Sequence, residues 1–232
     1  MSEKQTVPEE FDRVSRSYDL LSALNPGYSA HLRKSAKRMQ LGPGARVLDL
    51  CCGTGLSTEA LRTVYPDAVI TGMDASAGML ESARAKPELS DVTWILGNAM
   101  DPAEAGAEGP YDGILMAYGI RNVPDPDLCL ERLLPLLAEE GTICFHEYSV
   151  RGSLWSRIVW NIVTLGIVIP LGLIFARTTK IFRYLRRSVL EFDSVTELED
   201  RLRAAGFSSV RTKPMGGWQR GVVHSFLASR ST

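Results

Sequence analysis

The chain has 232 residues, 45% hydrophobic and 23% charged, with 26 Lys and Arg against 27 Asp and Glu. That composition is globular and fits one large domain or a domain carrying an insertion. A net charge of −1 gives no global pull toward nucleic acid, and Cys51, Cys52, Cys129 and Cys144 form no CxxC pair or other metal-ligand spacing.

The first segment, "MSEKQTVPEEFDRVSRSYD", is polar and has no signal-peptide core, so the expectation is a protein kept in the reducing cytoplasm. Residues 8–40 read as helical. Phe11, Val14, Tyr18 and Leu21 recur at spacings of three and four, "NPG" turns the chain, and "YSAHLRKSAKRMQL" continues as a second helix until "GPG". Residues 1–42 thus form a helical cover on one domain that spans 1–232.

Alternation follows. "ARVLDLCC" is a strand, "LSTEALRTVYP" a helix, "AVITGMD" a strand, and "ASAGMLESARAK" a helix. "VTWILGNA" and "YDGILMAYG" are the third and fourth strands, around the loop "DPAEAGAEGP". "PDLCLERLLPLLAEEG" reads as a helix and "GTICFHEYS" as the fifth strand. Strand and helix in alternation predict a mostly parallel sheet with helices on both faces. "SVTELEDRLRAAGF" is a capped helix, and "SSVRTKPM" and "VVHSFLASR" are strands joined closely enough for a hairpin, so the last strand is antiparallel.

One stretch breaks the soluble pattern. Residues 158–176 carry no charge, and no acidic residue lies between Glu147 and Glu191. Arg151, Arg157, Arg177, Lys180, Arg183, Arg186 and Arg187 lie in that interval. About 20 apolar residues can cross a bilayer, but a single crossing would separate the final helix and strands from their sheet. Gly166, Pro170 and Gly172 also interrupt a straight helix. The expectation is a lid over 150–190, two short helices or one bent one. Residues 154–187 would rest on a membrane surface, with a homodimer interface as the alternative.

The chemistry centres on "VLDLCCGTG". Asp49 ends the first strand, and Gly53 and Gly55 let the following turn approach a ligand. Thr58 stands where a GxGxxG loop has its third glycine, and a carboxylate at Asp49 repels phosphate but suits an ammonium group. Asp74, ending the second strand, suits ribose hydroxyls. A ribose and a cationic amino acid without phosphates describe S-adenosylmethionine.

In order and spacing, "VLDLCCGTG", "GMDASAGML" and "GNAMD" resemble the first three cofactor motifs of class I methyltransferases that use S-adenosylmethionine. The resemblance implies a Rossmann-like α/β fold with a seven-stranded sheet. It implies that Asp49, Cys51, Gly53 and Gly55 hold the methionine part and that Asp74 and Ala75 hold the ribose. Met79 would pack on the adenine, Asn98 and Ala99 would meet its edge, Ala117 would line the site, and Tyr18 would close over the cofactor's carboxylate. No metal is expected.

A narrower resemblance covers almost the whole chain. "FDRVSRSYDLLSALNPGYSAHLRKSA", "MAYGIRNVPDPDLCLERL", "HEYSV" and "GGWQRGVVHSFLA" are similar to segments of the UbiE/COQ5 family, C-methyltransferases of ubiquinone and menaquinone synthesis. The chain departs from that family's pattern at Ser22, at Leu32, and in "PAEAGAEGPY" and "AEEG". The implied reaction is methylation of a ring carbon of a prenylated quinol. Arg121 and Asn122 would orient or stabilise the quinol oxygen, and His146, Glu147 or His224 are candidate bases. Since neighbouring strand residues point to opposite faces, at most one of His146 and Glu147 should face the site. Two other readings stay open: an O- or N-methyltransferase for another hydrophobic molecule, and a non-catalytic protein that binds S-adenosylmethionine. Nucleic acid is not expected, since no basic face with interleaved aromatics is present.

Overall fold

The computed structural model describes residues 25, 27–175 and 178–230. Tyr18 and the first helix of the expected cover lie outside the described residues. The remainder of the cover is α1 (Tyr28–Met39). The sheet comprises β1 (Arg46–Leu50), β2 (Val69–Asp74), β3 (Thr93–Leu96), β4 (Tyr111–Ala117), β5 (Leu137–Tyr148), β6 (Phe207–Pro214) and β7 (Val223–Arg230). Their order is β3-β2-β1-β4-β5-β7-β6. The first five strands run parallel, and β7 runs antiparallel to both β5 and β6.

The period of two along each strand builds two cores. Val47, Leu115, Cys144 and Leu227 pack with Ala36 and Met39 of α1 and Leu61 of α2 (Leu56–Val64). Their neighbours Leu48, Ile114, Phe145 and Phe226 face the other way. They meet Leu130 and Leu133 of α4 (Pro126–Leu133) and Leu198 and Leu202 of α8 (Val195–Ala204). Both faces are covered, so the strands carry apolar residues on both sides. β2 leads into α3 (Ala77–Arg84), whose cap is Ser76, accepting from the Met79 N–H. α8 starts with a full capping box between Ser194 and Glu197.

The helix expected over "PDLCLERLLPLLAEEG" is shorter. It ends at Leu133, passes through a 3₁₀ turn (Leu134–Leu136), and β5 begins at Leu137. Pro135 cannot donate a helical hydrogen bond and ends the helix. Leu137 pairs with Tyr111 before the register shifts to Gly113 against Thr142.

Of the two arrangements expected within 150–190, the chain takes the single helical run. α5 (Leu154–Val163), a π turn (Thr164–Val168) and α6 (Ile169–Phe175) form one uninterrupted helical run. Pro170 leaves the Gly166 carbonyl without its usual amide partner, and the wider turn absorbs the mismatch. α7 (Lys180–Glu191) then packs back on the run. Gly172 lies so close to Phe182 that an added Cβ would sit 2.2 Å from its ring. Trp160 is buried and donates to the Arg186 carbonyl at 3.2 Å. With Tyr148, Val150, Val189 and Val222 it forms a third core, which fastens the insertion to the carboxyl end of β5.

Candidate active site

A cavity of about 300 Å³ opens at the carboxyl ends of the parallel strands. One end is built from the glycine loop and the ends of β2 and β3. Cys51, Gly53, Asp74, Ala75 and Met79 line it, with Asn98, Ala99 and Ala117 beside them. The other end is apolar, walled by Ile181, Phe182 and Leu185 of α7. Arg121 and Asn122 lie on the lining, in the 3₁₀ turn Ile120–Asn122 after β4.

Local backbone explains how the first end is shaped. Gly55 has φ 87 at the start of α2, and an added Cβ would meet Leu89 at 2.9 Å. Gly119 lets the turn after β4 press against the turn after β1, since a Cβ there would lie 2.8 Å from that of Cys51. Two residues with side chains, Cys51 (φ 59) and Tyr118 (φ 57), are also left-handed at these strand ends. Such backbone is costly and gathers at functional sites.

Asp74 accepts from the Gly53 N–H at 2.8 Å and the Ser76 N–H at 2.9 Å, which ties the glycine loop to the end of β2. Asn98 accepts from the Met100 N–H at 2.9 Å. Asp49 and Gly55 do not line the cavity. Asp49 is fully buried, and its Oδ2 accepts from Ser57 at 2.8 Å and Thr58 at 2.6 Å. Thr58, at the third glycine position, therefore serves the carboxylate. Oδ1 is buried without a hydrogen-bond partner among the described residues. Burial pushes the Asp49 carboxyl up to about 7, against the pull of the two hydroxyls.

An ammonium group bound beside Cys51 and Gly53 would bring its charge close to the buried Asp49 carboxylate, so the donor set fits S-adenosylmethionine. Asp49 would serve its amino acid end, Asp74 its ribose, and Met79 and Asn98 its adenine.

Arg121 is buried. Its NH1 donates to Glu147 Oε1 in an ion pair, and its Nε donates to Ser188 at 2.9 Å. Burial raises the Glu147 carboxyl, and the guanidinium opposes that rise. Asn122 donates to the Tyr118 carbonyl at 3.2 Å and accepts from Tyr184 Oη at 3.1 Å. His146, Glu147 and His224 do not line the cavity. Glu147 reaches it through Arg121 and the Tyr148 N–H, and His146 through Tyr118, whose Oη lies 2.9 Å from Nε2. His224 is buried on β7, paired in register with Glu147, and its Nδ1 has no partner among the described residues. Burial, then nearby charge, lowers both imidazoles, His146 to about 3 and His224 to about 4. Both are neutral at physiological pH.

Sequence reasoning missed the tyrosines. Tyr28, Tyr118, Tyr148 and Tyr184 all line the cavity. Tyr118 and Tyr148 lie inside the quoted motifs "MAYGIRN" and "HEYSV", one residue from the residues singled out there. Tyr28 likewise lies inside the quoted "NPGYSAHLRKSA", and Tyr184 lies in the 150–190 segment, where charge and apolar length drew the attention.

A family model described as the ubiE/COQ5 methyltransferase family matches residues 1–228. The demethylmenaquinone methyltransferase of Lactococcus lactis is 31% identical over 98% of this chain and 91% of its own length. Among solved structures, the methyltransferase complexed with the Haloferax volcanii Trm112 activator superposes with a TM-score of 0.69 at 18% identity. That match covers 97% of this chain and 98% of the other. Haemonchus contortus phosphoethanolamine N-methyltransferase 2, in complex with S-adenosyl-L-methionine, gives 0.69 at 16% identity over 95% of this chain and 57% of its own. Both structures share the fold. From the match along nearly its whole length, the chain belongs to the ubiE/COQ5 methyltransferase family.

Proposed function

We propose that this enzyme methylates a ring carbon of a prenylated quinol of the demethylmenaquinol type, with S-adenosylmethionine as methyl donor. One observation carries the reading: a single cavity joins the end lined by Asp74, Met79 and Asn98 to an apolar wall, with Asn122 and Arg121, the latter paired to Glu147 behind it, on its lining. S-adenosylmethionine supplies an electrophilic methyl group. The protein's part is alignment and exclusion of water. The quinol would bind as its phenolate, the hydroxyl proton having gone to solvent, and Arg121 would stabilise that oxygen while charge spreads to the ring carbon. The carbon would take the methyl group as its bond to sulfur breaks, leaving S-adenosylhomocysteine, and would then release its hydrogen to solvent as a proton to restore the aromatic ring. Glu147 holds the guanidinium in place and balances its charge in the buried setting. Asn122, held by Tyr118 and Tyr184, aligns the ring. The test is methyl-labelled S-adenosylmethionine with a reduced and an oxidised demethylated quinone. Label in the ring only under reducing conditions supports the reading, and label on oxygen or nitrogen overturns it.

The enzyme works at the cytoplasmic face of a membrane. The run Leu154–Phe175 is 22 residues long and apolar enough to cross a bilayer, and most of it lies on the outside of the fold. Trp155 is 70% exposed and Ile162 and Ile174 each 66%. The chain re-enters through α7 and α8 the sheet it left at β5, so the run lies in the membrane plane. Arg157, Lys180, Arg183 and Arg187 supply the charge that anionic headgroups attract. Free thiols at all four cysteines accord with a reducing compartment.

A further inference from the structure

Tyr118 sits at the end of β4 with φ 57, an unusual state for a residue with a Cβ. Its surroundings hold it there. Its N–H donates to the His146 carbonyl at 2.8 Å. Its ring stacks on Tyr28 at 5.6 Å, leans on Tyr148 at 4.7 Å and meets the His146 ring edge-on at 4.8 Å.

Behind it runs a polar chain. His146 Nε2 lies 2.9 Å from Tyr118 Oη, and Nδ1 lies 2.7 Å from Ser35 Oγ. Ser35 lies 2.7 Å from Ser225 Oγ, which accepts from Arg38 at 2.8 Å. Ser35, His146 and Ser225 are buried. The chain stitches α1, β7 and β5 to the end of β4. A guanidinium only donates. With Ser225 accepting from it, the protons of Ser225, Ser35 and His146 each find an acceptor when Ser225 donates to Ser35, Ser35 to Nδ1, and Nε2–H to Tyr118. Burying three polar groups is costly unless each is paired. An apolar residue at 146 would fill the space without that cost. The imidazole does not line the cavity, so it does not take the substrate's proton itself.

The consequence of fixing Tyr118 appears one turn later. Its carbonyl accepts from Asn122, and Arg121 lies between them. We propose that His146 is a positioning residue for methyl transfer. Acting through the Tyr118 hydroxyl, it sets the turn that presents Arg121 and Asn122 to the acceptor. This rests on the quinol reading above.

The experiment is a double-mutant cycle on the full chain, with Tyr118→Phe, His146→Leu and both together, assayed with labelled S-adenosylmethionine and a reduced demethylated quinone. Each single change is expected to lower kcat about tenfold while the KM for either substrate moves less than about twofold. The double variant should be no slower than the slower single, because both remove one interaction. His146→Gln, whose amide can still donate to Tyr118, should recover most of the rate. Nitrogen NMR of the labelled imidazoles offers a readout that does not need turnover, since the chain has three histidines. Tyr118→Phe should shift the His146 ring nitrogens. Independent, multiplying losses in kcat, or an unmoved His146 signal, overturn the proposal. So do losses that appear in thermal stability and leave kcat intact. Wild-type protein that leaves the quinol unlabelled sinks the quinol reading itself, and the role of His146 with it.

Discussion

Arg121 and Glu147 form an ion pair buried between the turn after β4 and the end of β5. A charge left alone in such a place is far more damaging than the loss of both. Arg121→Met should therefore lower unfolding stability by about 3 kcal/mol in urea and reduce turnover at least 100-fold. Glu147→Gln leaves the Arg121 charge buried without its counter-charge and should also cost about 3 kcal/mol. If either variant unfolds within about 0.5 kcal/mol of the parent, the pair is not the buried unit described.

The protonation of Asp49 makes binding of S-adenosylmethionine depend on pH. Its carboxyl is raised to about 7, so the free protein is partly protonated at neutral pH. An ammonium partner favours the ionised form, so binding releases a proton and affinity climbs as pH rises toward 8. Calorimetry in two buffers of different ionisation heat measures that proton directly. Asp49→Asn should abolish it.

The same group acts on the stability of the free protein, with the sign opposite to that of an ordinary salt-bridged carboxylate. The folded value lies above the unfolded one, so the favourable contribution is full below about pH 4 and fades as pH rises through about 7. Asp49→Asn should unfold at a higher temperature than the parent at pH 8, with the gap narrowing by pH 5.

Gly55 is held by both its left-handed backbone and the nearby Leu89 side chain. Gly55→Ala should cost about 1–2 kcal/mol of stability and weaken S-adenosylmethionine binding. Gly166→Ala, with open space around the new methyl, should do neither.

The exposed apolar run predicts attachment to lipid. Replacing Trp155, Ile162 and Ile174 together by glutamate should abolish flotation with anionic vesicles, leave the melting temperature within a few degrees, and spare methylation of a short-tailed acceptor. Wild-type protein that stays in solution beside anionic vesicles, and elutes as a dimer, would assign the run to a subunit interface.

Much of the fold was legible because glycine turns and strand periods are local signals. Asp49, Gly53, Asp74 and Asn98 fall at strand ends, where topology alone directs attention. The boundary of β5 was not legible: "PLLAEE" reads as helix until Pro135 is weighed against the pull of β4 on Leu137. His146 and His224 looked like bases because a histidine near a site invites that role. His146 is closed in by Ser35 of α1 and by β7, and His224 by β5, partners more than 70 residues away in the chain. Gly166 and Pro170 left two short helices and one run both open for Leu154–Phe175, and the π turn that absorbs them decides for the run.

The cavity has two inheritances. Asp74, Met79 and Asn98 come from the first hundred residues, whereas the apolar wall at 181–185 belongs to the insertion. After a gene duplication, drift confined to the insertion can change which molecules are admitted while the methyl donor's seat stays as it was. Diversity among descendants of such an enzyme should accumulate between residues 150 and 190, and a transplant of that segment alone should carry acceptor preference with it.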